Sequence, residues 1–493
     1  MNDDALALGI DFGTSSVKVV ALSPRGDLAG EAAAPYPTHR PGPHRAEQDP
    51  ADWLRALAEV IATLATRVRL ARVSAIGLSG QLNGIVRCDA SGAPAGSALT
   101  WLDQRAEEET NALDATFGNG LYAVTGNRAN GIAVAPKLRW LASHDPRPAT
   151  RVMQVKDWIG LILTGVPRTE RNEASGTLLM DFAGSHWDAA LCDWAGVTPA
   201  QLSPIGTATD LLGPVTATAA ARFGLPEGVP VVLGAGDTGA LAVGCGAYAP
   251  GTVAVTLGTA GHVVAASPRP PVTEVRGMWR SGHVTPDREL WLGLVPAGAL
   301  SMEWLRDIFA LGGDRPDFDT LESAAANVDP LAVEAMFLPF LAGAGTPWNH
   351  PARAVLSGLD LTQGPGHLVR AVQTGVAHAV RASLEAFAGA GLEIKQVRLA
   401  EGGARSPIWC QSIADVTGRP VEVLAHGDTS AVGAALLAFA GTQTDLPPAE
   451  ALNGFIARAV RPVRTYAPDP VHHAFHGRRH ARFLARATQE IAP

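Results

Sequence analysis

One stretch limits this chain more than any other, because it occurs twice. "LGIDFGTSSVKVVALSPRG" (residues 8–26) is an apolar run, a Gly-Thr-Ser-Ser turn and a second apolar run; "AVTLGTAGHVVAASPRP" (254–270) has the same plan. With Phe12-Gly13-Thr14-Ser15 set against Leu257-Gly258-Thr259-Ala260, Ser23-Pro24-Arg25 falls near Ser267-Pro268-Arg269. Each copy reads as a β-hairpin. A repeat of this spacing is a duplicated lobe rather than a short array.

The segments after the two hairpins also match. "ADWLRALAEVIATLATRV" (51–68) has apolar residues at helical spacing and "VSAIGLSG" (73–80) reads as a buried strand. In the second half, "GHLVRAVQTGVAHAVRASLEAFAGAG" (366–391) and "QVRLAEGG" (396–403) repeat that order. A chain of 493 residues is also long for a single core. The expectation is an α/β molecule of two lobes, residues 1–245 and 246–493, each opening with a hairpin and facing the other across a cleft. The segment 441–493 is expected to pack back on the second lobe.

Composition removes other classes. The formal charge is −8 with no basic block, which speaks against sequence-independent nucleic-acid binding. "AVGAALLAFA" (431–440) is too short to cross a membrane and reads as a buried helix. The start MNDDALALGI carries neither the basic flank nor the cleavage site of a signal peptide. Cys88, Cys192, Cys245 and Cys410 are scattered without CxxC spacing, so no zinc site or disulfide framework is expected. A cytoplasmic location fits these features.

Backbone N–H groups at a Gly-Thr turn, with short hydroxyls beside them, suit phosphate oxygens. Glycine lets the backbone approach a ligand closely. Two such turns facing each other would grip a polyphosphate. Asp11 has no acidic counterpart, since Thr256 stands at the matching position, so the first copy is expected to hold Mg²⁺ beside the phosphates. A further acid, Asp237, ends the small-residue run "VPVVLGAG" (229–236). It reads either as a carboxylate at a strand end facing the cleft or as a cap on the next helix.

Ten segments in order then resemble one family. "GIDFGTSSVK" (9–18), "EQDPADWL" (47–54), "GLSGQLNG" (77–84), "WLDQRAEE" (101–108), "APKLRWL" (135–141) and "KDWIGLILTG" (156–165) lie in the first half. "GAGDTGALAVG" (234–244), "TLGTAG" (256–261), "FLPFLAGAGTPWNHPARAVLSGLDL" (337–361) and "EGGARSPIWCQSIADVTGRPV" (401–421) complete the set. The chain resembles the FGGY carbohydrate kinases, and most of all the xylulose kinases. That resemblance implies two actin-like ATPase (ribonuclease H-like) domains and ATP-dependent phosphorylation of a sugar hydroxyl, most simply D-xylulose to D-xylulose 5-phosphate. It implies Asp237 as the catalytic base and Asp11 as the metal-side carboxylate. Gly13, Thr14 and Ser15, with Gly258 and Thr259, would bind phosphates. Gly402, Gly403, Ala299 and Glu303 would line the nucleotide pocket.

The sugar side departs from the family. Gln81-Leu82-Asn83-Gly84 stands where xylulose kinases usually show Gln-Met-His-Gly, and Thr238 where Asn often comes after the catalytic Asp. Gly343-Ala344-Gly345-Thr346-Pro347 lacks the expected Glu-Arg pair. Asn83 and a histidine offer different hydrogen-bonding groups, so the acceptor could be another ketopentose or a polyol. Gln81, Leu82, Asn83, Asp103, Asp237 and Thr238 are the expected sugar contacts, and Asp103 could equally pair with Arg105. His472, His473, His476 and His480 read as part of a terminal amphipathic helix rather than a metal site. Lys137 with Trp140 reads as packing, and Asp157 as serving a helix start. The actin-like fold also serves ATP-driven chaperones and filaments, but Asp237 and the stretches 77–84 and 101–108 favour a kinase. A non-catalytic sugar sensor is the remaining alternative. The expected partners are sugar and ATP, with no nucleic acid and no membrane; a homodimer stays open.

Overall fold

The computed structural model describes residues 4–268, 274, 276–311 and 313–491, so Arg269 and Pro270 of the second repeat lie outside the described residues. Contacts divide the chain into two units. One contains the chain up to Gly244, Arg280–Glu289 and Asp428–Val460; the other contains Cys245–Trp279, Leu290–Gly427 and the chain from Arg461.

The first unit is built on a sheet of Leu6–Phe12 (β1), Ser16–Leu22 (β2), Leu28–Pro35 (β3), Val73–Gly80 (β4), Leu211–Pro214 (β5) and Pro230–Gly236 (β6). Their order is β5-β6-β4-β1-β2-β3. β1, β4 and β6 are parallel, whereas β2, β3 and β5 run antiparallel to their neighbours. The parallel trio reads as near-continuous apolar sequence because helices cover both faces. Pro50–Ala65 (α1) packs on one side, with Trp53, Leu57 and Ile61 buried and Asp49 capping its start.

The helix Thr429–Thr442 (labelled α6 below) supplies the other cover, and its small residues explain how. A Cβ on Gly9 of β1 would stand 1.8 Å from the Ala431 carbonyl oxygen, and one on Gly77 of β4 would stand 1.9 Å from that of Ala434. Backbone rests directly on backbone there. This packing draws residues 428–460 into the first unit, which corrects the expectation that 441–493 lies wholly with the second lobe. Among the described residues no helix is long and apolar enough to cross a membrane.

The second unit repeats the plan. Gly251–Leu257 (β7), Gly261–Pro268 (β8), Ile394–Ala400 (β9), Val421–Leu424 (β10) and Pro462–Tyr466 (β11) lie in the order β11-β10-β9-β7-β8. β7, β9 and β10 are parallel, with β8 and β11 antiparallel on either flank of that trio, and the sheet of seven strands continues beyond β8. The two hairpins, β1–β2 and β7–β8, therefore occupy equivalent places in equivalent sheets.

The helices Pro365–Gly389 and Pro470–Ile491 of this unit bury three histidines together. His378 Nδ1 lies 3.1 Å from His480 Nδ1, and His480 Nε2 lies 3.0 Å from a Glu385 oxygen. Burial, then the charge of Arg479, holds His476 down to about 3 from an ordinary 6.5, and burial holds His378 well below it. Below pH 6.5 the unfolded chain takes up protons that the folded chain refuses until much lower pH. Stability is therefore complete above that value and falls as the pH drops towards 3, by about 1.4 kcal/mol per pH unit for each such histidine. Urea unfolding at pH 7.5 and pH 5 is expected to show this loss in the wild type and a smaller one in His476→Leu. Equal losses in the two proteins would contradict it.

Candidate functional site

In the first unit the parallel strands end level with one another. Asp11 and Ala235 both pair with Ser79, and Phe12 and Gly236 both pair with Gly80. Asp11 thus sits at the end of β1, Gln81–Asn83 come just after the end of β4, and Asp237 just after the end of β6. With neighbouring strands about 4.8 Å apart, the β1 and β6 ends are roughly 10 Å apart. The carboxyl ends of parallel strands are where open α/β sheets bind ligands.

Asp11 is buried, and its Oδ1 accepts a 2.7 Å hydrogen bond from the Ser79 hydroxyl. Burial pushes its carboxyl above the usual range; Ser79 and the nearby Lys18, itself 2.6 Å from Asp428, oppose that shift. A cation would relieve a carboxylate so placed. Among the described residues there is no cluster of three or more acidic, His or Cys side chains that could hold a metal. Asp11 alone suits Mg²⁺, which commonly takes one protein carboxylate and completes its shell with phosphates and water.

The first turn is firmly braced. The Tyr36 hydroxyl donates to the Gly13 carbonyl, and Gln48 Nε2 donates to that of Thr14 at 2.6 Å. Trp101 Nε1 donates to the Thr14 hydroxyl at 3.0 Å, while Ser15 is exposed at the tip. The loop carrying Trp101 is fixed from beneath by Lys137 of the helix Val134–His144 (α2), fully buried, whose ammonium donates to Thr100 and Ile132 carbonyls at 2.9 and 2.8 Å. Burial lowers this lysine to about 7. Asp103 is also fully buried: Arg105 donates to both its oxygens, at 2.8 and 2.7 Å, and the Ala46 N–H adds a 2.7 Å bond. Its carboxylate is thus committed to the architecture of the loop.

Gln81 and Asn83 differ from the rest. Gln81 Nε2 donates to Gln48 at 2.8 Å, but among the described residues its buried Oε1 has no hydrogen-bond partner, nor does Asn83 Oδ1. Asn83 has φ +62°, and its N–H is held by Gln154 at 2.6 Å. Leu82 packs against Gly236, where a Cβ would stand 2.3 Å from its Cδ2. Buried amide oxygens without a protein partner are the groups that a polyhydroxy ligand satisfies.

Asp237 begins the helix Asp237–Gly244 (α5) and is half-buried. Its Oδ1 accepts from the Thr238 N–H at 2.7 Å and from the Thr238 hydroxyl at 3.3 Å. Two segments whose motifs gave no sign of reaching this residue lie around it: Val155–Thr164 (α3) and Arg171–Ser175 (α4). With Glu170 at the start of α4, they bury Lys156, Asp157, Glu170, Asn172 and Glu173. Lys156 lies 2.6 Å from Asp157, and neither Glu173 oxygen has a hydrogen-bond partner among the described residues. Burial, then the charge of Asp157, raises the Glu173 carboxyl well above its ordinary value, and Asp237 adds to that.

In the second unit the expected nucleotide residues gather at the ends of β7 and β9. Ala299 N–H donates to the Gly258 carbonyl at 2.7 Å, and the Gly298 N–H donates to that of Thr259 at 3.0 Å. Gly402 and Gly403 come after β9; a Cβ on Gly403 would stand 2.6 Å from that of Leu257. Glu303, on the helix Leu300–Ala310, is paired with Arg306 at 3.0 Å and Arg315 at 2.5 Å. Glu401 adopts φ +68°, ψ −157°, a region that costs a non-glycine residue about 1–3 kcal/mol. Its Oε2 lies 2.3 Å from where a Cβ on Gly258 would stand. The sequence signal for this strain was an acid standing directly before two glycines.

Comparison with known proteins identifies the family of the chain. Residues 6–244 match the N-terminal domain, and residues 253–442 the C-terminal domain, of the FGGY family of carbohydrate kinases. The xylulose kinase of Escherichia coli (strain K12) is 31% identical over 439 residues, covering 87% of this chain and 89% of that protein. The gluconokinase of Bacillus subtilis (strain 168) is 28% identical over 453 residues, covering 88% and 87%. The crystal structure of xylulose kinase from Rhodospirillum rubrum superposes with a TM-score of 0.89 at 30% identity, covering 98% of each chain. The chain belongs to the FGGY family of carbohydrate kinases.

Proposed function

We propose that this carbohydrate kinase transfers the γ-phosphoryl group of ATP to the terminal hydroxyl of D-xylulose, giving D-xylulose 5-phosphate and ADP. The observation that carries the reading is the row of strand ends, with Asp11 and Asp237 flanking the two unpartnered amide oxygens of Gln81 and Asn83. The xylulose kinases among the relatives support the choice of sugar.

Asp237 accepts the hydroxyl proton as that oxygen forms its bond to the γ-phosphorus and the bond to the bridging β–γ oxygen breaks. Gln81, Leu82, Asn83 and Thr238 hold the sugar, and Asp103 shapes the loop beside it. Gly13, Thr14 and Ser15, with Gly258 and Thr259, bind the phosphates. Ala299, Glu303, Gly402 and Gly403 line the nucleoside. Mg²⁺, held from Asp11, would offset phosphate charge when bound.

Asn83 and the gluconokinase relative favour a second reading, a different acceptor for the same chemistry. ADP release measured with D-xylulose, other ketopentoses, polyols and gluconate separates the two. The highest kcat/KM is expected on D-xylulose. Turnover on another compound alone would reassign the acceptor, and ATP binding without turnover on any would indicate a sensor.

A further inference from the structure

Asp237 opens a helix, and the first N–H groups of a helix have no partner within it. An aspartate in that place ordinarily serves those donors itself. In this protein Asp237 takes the Thr238 N–H, and two other side chains hold the N–H groups of Gly236 and Gly239 on either side. Glu170 Oε1 accepts from the Gly236 N–H at 3.1 Å, immediately before Asp237. Asn172 Oδ1 accepts from the Gly239 N–H at 3.1 Å, two residues after it. Both side chains are fully buried.

Each is itself anchored. Glu170 also accepts from the N–H groups of Asn172 and Glu173, at 2.5 and 2.8 Å, and so caps α4 with the same carboxylate. Asn172 Nδ2 donates to the Ser281 hydroxyl at 2.7 Å and to the Gly282 carbonyl at 2.8 Å. Ser175 closes the arrangement: its hydroxyl donates to the Asn172 carbonyl at 2.8 Å and accepts from the Gly282 N–H at 2.9 Å. The glycines at 236 and 239 make the approach possible, since a Cβ at either would come within 3.0 Å of the Asn172 side chain.

We propose that Glu170 and Asn172 are positioning residues for the phosphoryl-transfer step, holding the backbone on both sides of Asp237 so that its carboxylate is aimed by the turn and relieved of capping Gly239. The proposal rests on Asp237 being the base. Misplacement of a reacting group by about 1 Å can cost 10²-fold in rate, so loss of either bond acts on kcat more than on KM.

The test compares steady-state pH profiles of wild type, Asn172→Ala, Asn172→Asp and Asp237→Ala with the preferred sugar, ATP and Mg²⁺. Asn172→Ala is expected to lower the plateau kcat by about 10-fold or more with both KM values within about 3-fold. Asn172→Asp keeps an acceptor for Gly239 but loses the amide that donates to the Ser281 hydroxyl and the Gly282 carbonyl. Its carboxyl can replace that amide only while protonated, so kcat is expected to exceed that of Asn172→Ala where the carboxyl is neutral and to fall as the pH rises and it ionises. The charged groups already around this turn are Glu170 and Glu173 of the α4 segment, Lys156 and Asp157 of α3, and Asp428 with its partner Lys18 where α6 begins. A plateau kcat within 2-fold of wild type in Asn172→Ala would overturn the proposal, as would an Asn172→Asp variant whose kcat profile matches wild type across the pH range. The latter reading decides the matter if the alanine variant does not fold. Wild-type turnover by Asp237→Ala would overturn the base assignment itself, and this proposal with it; a dead Asp237→Ala beside a fully active Asn172→Ala overturns the proposal alone.

Discussion

Asp237→Ala is expected to lower kcat by about 10²- to 10⁴-fold, the range supplied by a positioned general base. The KM for ATP should stay within a few-fold, because the residues proposed to bind the nucleoside lie in the second unit. The size of the effect comes from where the carboxylate stands. It is half-buried at the start of α5, with the Thr238 N–H and hydroxyl on one oxygen. The Ser430 hydroxyl donates to its backbone carbonyl at 3.2 Å, and the N–H groups of Gly236 and Gly239 are held by other side chains. Truncation to alanine removes the proton acceptor and leaves that backbone support in place. ADP release at saturating substrate checks it. A kcat within 3-fold of wild type would mean that Asp237 is a helix cap and no more.

Lys156→Met is expected to destabilise the first unit by about 3–5 kcal/mol, the cost of breaking a buried pair by removing one partner. Lys156 and Asp157 are both buried, 2.6 Å apart, and Glu170 and Glu173 lie around the same ammonium. Burial pulls the lysine down, yet the charges of Asp157, Glu173 and Glu170 outweigh it and leave the group above its ordinary value. Removing this cation leaves Asp157 and Glu170 unneutralised in a dry interior. The double variant Lys156→Met/Asp157→Leu should recover part of the loss, since Asp157 no longer stands unpaired in the interior while Glu170 still does. Urea unfolding monitored by tryptophan fluorescence checks both. A loss below about 1 kcal/mol in the single variant would show that the pair carries little of the stability.

How far the sequence could be read depended on how each feature is encoded. The hairpins were legible because period, turn chemistry and repetition all spoke together at Gly13-Thr14 and Gly258-Thr259. The end of β6 was legible from its small-residue run, so Asp237 could be placed at a strand end. The helix 429–442 was legible as buried, but its lobe was not: the fit depends on Gly9 and Gly77 making room for it, a relation between residues far apart in the chain. The bracing of the turn was hidden for another reason. "TERNEASGT" (169–177) has no periodicity, and its polar residues invite a surface reading. All of Glu170, Asn172 and Glu173 are nevertheless buried: Glu170 and Asn172 serve backbone donors, and Glu173 lies near the Lys156 charge. Asp103 was ambiguous between sugar contact and ion pair, and its bonds to Arg105 could be seen only with the loop in place.

Whether ATP phosphorylates a ketose on this protein is decided by ³¹P NMR of a reaction with ATP, Mg²⁺ and D-xylulose. One new phosphate monoester resonance is expected, coupled to the terminal CH₂ of the sugar and growing in step with ADP. Release of ADP and inorganic phosphate without a sugar phosphate would contradict it.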